Sequence, residues 1–279
     1  MATQVKHRRG SKSEINSFTP AIGEIVMDTD NNELVLGDGA TPGGHPLPQK
    51  KRTRFTAESI TVMKSLKLDD MNEVETTSYH GGWAATVNGP KGGATYFRDG
   101  TTGTVSTIYV DRSGFYDANG DGFTLPKRRN VNAYQFGGYG DLVNDDQPAA
   151  QAMADFSKDK KMTIGFDSGS WLFNSTVDLS AAGAGDEGYR NIEVKCAHEA
   201  FFYGATNSIS LFNISGQRRF KWTGGWFKRA NVCFLGNQET APNAYMQFYD
   251  IIFDGESTGA IQRCYLADTS IGVYWNNCD

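Results

Sequence analysis

The chain has 279 residues, enough for about two domains with real cores, and its 32 Gly against 8 Pro and 12% aromatic residues point to an all-β protein of strands and turns. A net charge of −5 provides no whole-chain field for nucleic acid or anionic lipid. No run approaches the ~18 apolar residues of a membrane span, so neither nucleic acid nor membrane is an expected partner.

The amino terminus, MATQVKHRRGSKSEIN, is basic but no apolar segment follows it, so no signal peptide is expected. Ser11 with Glu14 three residues later has the form of a capping box, which predicts a short helix over residues 11–18. GEIVMDT (residues 23–29) and NELVLGDG (32–39), separated by turn-forming residues, predict a β-hairpin, with GDGATPGG (37–44) as the following loop. A hairpin and one helical turn bury too little surface to stand alone, and oligomerisation is the natural remedy.

The run RRGSKSEI followed by FTPAIGEIVMDTDNNELVLGDGATPGG resembles the small N-terminal module of phage tail fibres, tailspikes and tropism determinants. Arg8, Arg9, Gly10, Gly23, Glu24, Asp28, Gly37, Asp38 and Gly39 match that pattern. The resemblance implies an intertwined β-prism that trimerises and attaches to the virion, so these nine residues are the expected attachment module.

Residues 49–73 begin polar and basic and then place Ile60, Met63, Leu66 and Met71 at near-helical spacing, which predicts a linker and neck helix. Residues 74–130 carry turn signals every 8–12 residues and predict a β-rich neck of antiparallel strands. Within it, DANGDG (117–122) imitates half of a calcium loop, but Arg128 stands where a bidentate Glu is needed, so a glycine-rich hairpin turn is expected.

FGGYGDLVNDDQPAAQAMADF (136–156), followed by IGFDSGSWLFNSTVDL, resembles the opening turn of pectate-lyase-type phage β-helices, which are right-handed and parallel. Gly137, Gly140, Asp141, Asp145 and Asp146 match, whereas Leu142 stands where Gly is usual. On physical grounds Asp145 or Asp146 should cap a helix whose apolar face, Ala149, Ala150, Met153 and Phe156, closes the end of the barrel of strands. Segments such as RFKWTG, YMQFYDIIFDG and IGVYWNN then predict coils stacked over residues 131–279, punctuated by Asn213, Asp254, Asp268 and Asn276. No polar cap follows Asn276, which suggests the N-terminal part of a longer spike.

Cys196, Cys233, Cys264 and Cys278 are too widely spaced for zinc and read as small buried thiols. His7, His45, His80 and His198 lack i, i+4 pairing, so no metal or other cofactor is expected. Glu239, Asp250, Asp254, Glu256 and Asp268 are the acids available to a glycosidase pair, but solvated turn positions are their ordinary use. Trp222, Trp226, Tyr245, Tyr249, Tyr274 and Trp275 are candidates for stacking on sugar rings.

The domains expected are thus 1–48 for attachment, 49–73 for the linker, 74–130 for the neck and 131–279 for the first part of a right-handed β-helix. The expected function is that of the N-terminal part of a tailspike: a homotrimer anchored to the phage tail, baseplate or a companion spike, supporting recognition of bacterial surface polysaccharide. The alternative is a polysaccharide depolymerase, with its active site in the β-helix. The expected location is the virion tail.

Overall fold

The computed structural model describes residues 8–31, 33–47, 54–83, 89–127, 130–158, 162–181, 192–236, 243–255, 261, 263–266 and 270–279. The chain divides into two compact units, Met1–Thr53 and Arg54–Asp279.

In the first unit, β1 (Arg8–Gly10), α1 (Lys12–Asn16), β2 (Ile25–Asp28), β3 (Glu33–Leu36) and β4 (His45–Pro46) form one sheet in the order β1-β2-β3-β4, with α1 packed on it. The capping box is present: Ser11 Oγ accepts the Glu14 N–H at 3.3 Å and Glu14 Oε2 accepts the Ser11 N–H at 2.7 Å. β2 and β3 are the antiparallel hairpin, pairing Ile25 with Leu36, Val26 with Val35 and Met27 with Leu34. Because side chains alternate across a strand, Val26 and Val35 share one face and are fully buried with Ile15 of α1. Those three residues make a very small core.

The second unit opens with a five-stranded sheet ordered β5-β6-β7-β9-β8, from β5 (Arg54–Ser59), β6 (Glu73–Ser78), β7 (Thr95–Thr102), β8 (Gly114–Tyr116) and β9 (Asp121–Thr124). The expected linker is corrected here. Residues 54–59 pair in parallel with β6, and α2 (Ile60–Met63) is a single turn between them. Ile60 and Met63 are fully buried against this sheet, because Ser59 caps the turn and folds it back rather than projecting a neck helix. The neck sheet is also mixed, since β5 and β6 run parallel while the other pairings are antiparallel. The DANGDG segment is a hairpin turn: Asp117 is buried and its carboxylate accepts the N–H groups of Asn119, Asp121 and Leu68.

From residue 130 the chain coils as a parallel β-helix. One sheet stacks β10 (Asn130–Asn132), β12 (Thr163–Phe166), β15 (Glu193–Cys196), β18 (Lys221–Thr223), β21 (Asn243–Tyr249) and β24 (Ser270–Asn276). The second stacks β11 (Asp141–Asp145), β13 (Gly169–Phe173), β16 (Ala200–Gly204), β19 (Trp226–Arg229) and β22 (Ile252–Phe253). The third stacks β14 (Val177–Asp178), β17 (Ser210–Asn213), β20 (Val232–Leu235) and β23 (Arg263–Leu266). Every pairing in these sheets is parallel, and equivalent residues recur after 22–35 positions, the varying length of one coil.

The core is built as aromatic ladders. In the first sheet Val131, Ile164, Val194, Trp222, Phe248 and Trp275 occupy one inward column. In the second, Trp171, Phe202, Phe227 and Phe253 do the same; in the third, Val177, Phe212, Phe234 and Tyr265. The columns meet along the axis, for instance Phe212 with Trp222 at 4.7 Å and Phe234 with Phe248 at 4.9 Å between ring centroids. Offset and edge-on aromatic contacts of this kind add about 0.5–1.5 kcal/mol each beyond area burial.

The helix α3 (Gln147–Ser157) lies over the first coil with Ala149, Ala150, Met153 and Phe156 buried, as the apolar face requires. Its cap differs from the expectation for Asp146. Asp145 accepts the Gln147 N–H at 3.0 Å and the Asn174 N–H at 3.1 Å, whereas Asp146 makes no cap and turns into the fold.

Candidate functional site

The nine matching residues of the first unit mostly build its own fold. Arg8 pairs with Glu24 at 3.4 Å and lies over the Phe18 ring at 4.6 Å, and Glu24 also accepts the Ala21 N–H at 2.9 Å. Gly10 lies opposite Asp28, and its carbonyl accepts the Thr29 N–H. Gly23 donates to the carbonyl of Gly37, and Gly39 to that of Pro20. Gly37 is a close approach, because a Cβ there would lie 2.2 Å from the Ala21 carbonyl oxygen. Asp28 has no exposed side-chain surface and accepts two backbone N–H groups and the Asn31 side chain, which hold its carboxyl below the usual range. Asp38 organises the next turn through Ala40, Thr41 and His45, and the Thr41 contacts hold its carboxyl well below the usual range. Of the nine, Arg8, Arg9, Gly23 and Gly39 are exposed.

The unit's open surface lies elsewhere. The second face of the hairpin pairs Ile25 with Leu36 and Met27 with Leu34, and none of the unit's described residues covers it: Leu34 is 43% and Leu36 37% exposed, and the nearby Ile22 is 85% exposed. Composition alone did not mark this face, since either side of the hairpin reads as apolar.

At the start of the β-helix the five matching residues shape successive turns, and Asp146 is bonded directly to Gly140. Asp146 accepts N–H groups from Tyr139 at 2.6 Å, Gly140 at 3.2 Å and Leu172 at 3.2 Å, tying the loop before β11 to β13. Burial pushes its carboxyl up to about 6, against the lowering effect of those donors. Asp141 accepts the Val143 and Asn144 N–H groups at 2.9 Å, and Leu142 inside that turn has φ +62°. The usual glycine at that position is thereby explained. Gly137 ends the 3-10 turn Ala133–Phe136 in a left-handed conformation, and its carbonyl accepts from His80 Nε2 at 3.0 Å. His80, one of the four scattered histidines, stacks on Tyr139 at 4.0 Å; burial lowers its pKa.

The six aromatic candidates separate by direction. Trp222 is corrected: it is fully buried in the first core column. Trp275 belongs to the same column and stacks on Phe248 at 4.2 Å, although 37% of it is exposed. Trp226 is half-buried on the outer side of the second sheet, beside Phe201, with Lys228 over its ring at 5.0 Å and Asp254 paired to that lysine. Tyr245, Tyr249 and Tyr274 face outward from the first sheet, where Tyr245 is 63% and Tyr274 54% exposed.

Of the five acids, Asp250 and Asp254 lie among the described residues, and each is held by its own partner. Asp250 accepts the Asn277 side chain at 2.8 Å in a corner where Gly224, Asp250 and Asn277 all take positive φ, and Asp254 is held by Lys228. Glu239, Glu256 and Asp268 lie outside the described residues, as does His7. No cluster of metal-ligating side chains occurs among the described residues. No helix among them is long and apolar enough to cross a membrane.

Residues 5–41 match the model of the major tropism determinant N-terminal domain. Over these residues the chain is similar to the N-terminal domain of a phage tropism determinant. It is 32% identical over 148 residues to the tail fiber receptor-binding protein of Bordetella phage BPP-1, an alignment covering 49% of this chain and 38% of that relative. Among solved structures, a Pantoea stewartii glycan biofilm modifying enzyme with a bacteriophage tailspike-like parallel β-helix fold covers 89% of this chain and 37% of its own, at 14% identity and TM-score 0.44. A major tropism determinant U1 variant covers 46% and 26%, at 22% identity and TM-score 0.18. The chain therefore spans well under half the length of these relatives, and its fold assignment rests on its own parallel strand ladders.

Proposed function

We propose that this chain forms the particle-proximal part of a trimeric phage receptor-binding spike. Residues 1–48 hold the trimer to the virion tail, and the outer surface of the β-helix contributes to recognition of a bacterial surface polysaccharide. The observation that carries the reading is the uncovered hairpin face of Ile22, Ile25, Met27, Leu34 and Leu36. A unit whose fully buried apolar side chains, among the described residues, are Ile15, Val26 and Val35 gains too little from its own core, and burial of the same face on two further copies, at about 25 cal/mol per Å², supplies the remainder. Closed cyclic symmetry then presents three identical β-helix surfaces, so weak contacts to a repeating glycan act together.

Light scattering at micromolar concentration should report the mass of three chains, and the double variant Leu34→Glu, Leu36→Glu should release monomers whose β-helix keeps its circular dichroism. The wild-type chain should also compete with phage for adsorption to susceptible cells. A monomeric wild type, or a chain that never slows adsorption, would sink the reading.

A further inference from the structure

We infer that the tyrosines on the outer face of the first β-helix sheet, Tyr245, Tyr249 and Tyr274, form a binding platform for an uncharged pyranose ring of the polysaccharide. The inference rests on the saccharide-recognition reading above and assigns it to one place.

The decisive feature is a comparison between successive coils. β21 and β24 are in register on both sides of one position, Ala244 with Ile271 and Met246 with Val273, so Tyr245 stands opposite Gly272. Both have a left-handed backbone, φ +57° at Tyr245 and +69° at Gly272. The two coils make the same kink, one with the residue that adopts it freely and the other with a large aromatic that adopts it at a steric cost. Among the described residues Tyr245 is the one aromatic with positive φ. Its side chain gains no core burial in return, being 63% exposed. A strained, exposed aromatic where glycine serves the next coil is kept for something outside the chain's own fold.

The surroundings say what. Gln247 lies between Tyr245 and Tyr249 along β21 and faces Tyr274 on β24, and the Tyr249 and Tyr274 rings are 6.1 Å apart. The platform thus offers aromatic faces, phenolic hydroxyls and the amides of Gln247 and Asn276, the equipment for C–H and O–H contacts with a sugar. Lys221 lies over the Tyr249 ring at 5.4 Å, and Lys221 and Lys195 both meet Glu193, at 3.3 and 3.4 Å. The platform's own side chains, three phenols and two amides, carry no charge, which favours a neutral sugar over a uronic acid.

The test uses the full chain and saturation-transfer NMR with the methyl glycosides of glucose, galactose, mannose and N-acetylglucosamine, and that of glucuronic acid as the charged comparison. At least one neutral glycoside should receive saturation at millimolar concentration, more strongly than the glucuronide. Tyr245→Gly should weaken that binding roughly tenfold while raising the melting temperature by roughly 2–4 °C. Tyr274→Ala should weaken it without that gain. Absence of transfer from every neutral glycoside, transfer to the glucuronide that equals or exceeds theirs, or transfer unchanged in both variants would overturn the inference. If wild type slows phage adsorption and Tyr245→Gly slows it equally, this site is wrong and the receptor-binding reading stands; if wild type has no effect on adsorption, that reading fails by itself.

Discussion

The carboxylate of Asp146 accepts the backbone N–H of Tyr139 at 2.6 Å, across the loop that leads the chain into its first coil. The same carboxylate takes N–H groups from Gly140 and, on the adjacent strand, from Leu172, so one side chain sets both the loop and the first parallel register. Asp145, its neighbour, does the capping.

Asp146→Ala leaves three donors without their acceptor in a fully buried site, and should destabilise the β-helix by about 3–5 kcal/mol. Chemical denaturation should show this as a lowered midpoint. Asp145→Ala should lose about 1 kcal/mol, the value of a helix cap. Equal effects from the two substitutions would contradict the division of roles.

Leu142 occupies a left-handed position with 41% of its surface exposed. Leu142→Gly removes a Cβ clash that costs roughly 1–2 kcal/mol, offset in part by the greater freedom of glycine in the unfolded chain. A net gain of about 0.5–1 kcal/mol is expected, with a matching rise in thermal midpoint. A loss would mean that the leucine makes contacts outweighing its backbone strain.

Asp28 gives the first unit a definite response to acid. Hydrogen bonds from Asn31, with smaller help from Asp30 and Lys12, keep its folded-state pKa below the unfolded value. Its contribution to stability is therefore present above the ordinary carboxylate pKa and disappears as pH falls through the folded one. Amide exchange at β2 and β3 should accelerate as pH is lowered through that window, after correction for intrinsic rates. Asp28→Asn should flatten this dependence while lowering stability at neutral pH; an unchanged profile would rule the aspartate out.

Much of the local structure was legible because local chemistry decided it. Ser11 and Glu14 satisfy each other's backbone whatever surrounds them, and alternation with a turn between makes the hairpin of residues 25–36. The short helix over Ala149, Ala150, Met153 and Phe156 followed from its apolar stripe. Ile60 and Met63 have the same kind of spacing, yet they pack on β5 and β6 instead of forming a neck helix. A single turn of helix carries no information about which surface will cover it.

The sequence by itself determined the all-β class, the N-terminal hairpin module, and the glycine and aspartate pattern that opens the β-helix, because each depends on residues within a few positions of one another. Only the tertiary structure decided which aromatics face inward. Trp222 and Trp226 are four residues apart but lie on different sheets, separated by the corner at Gly224 and Gly225, so strand alternation cannot be carried from one to the other. Trp222 falls into the column between Val194 and Phe248, and Trp226 onto an outer surface. Tyr245 likewise reads as an ordinary strand residue until Gly272 is brought opposite it, about one coil further along the chain. Register between coils is set by stacking over 22–35 residues, beyond the reach of any local pattern.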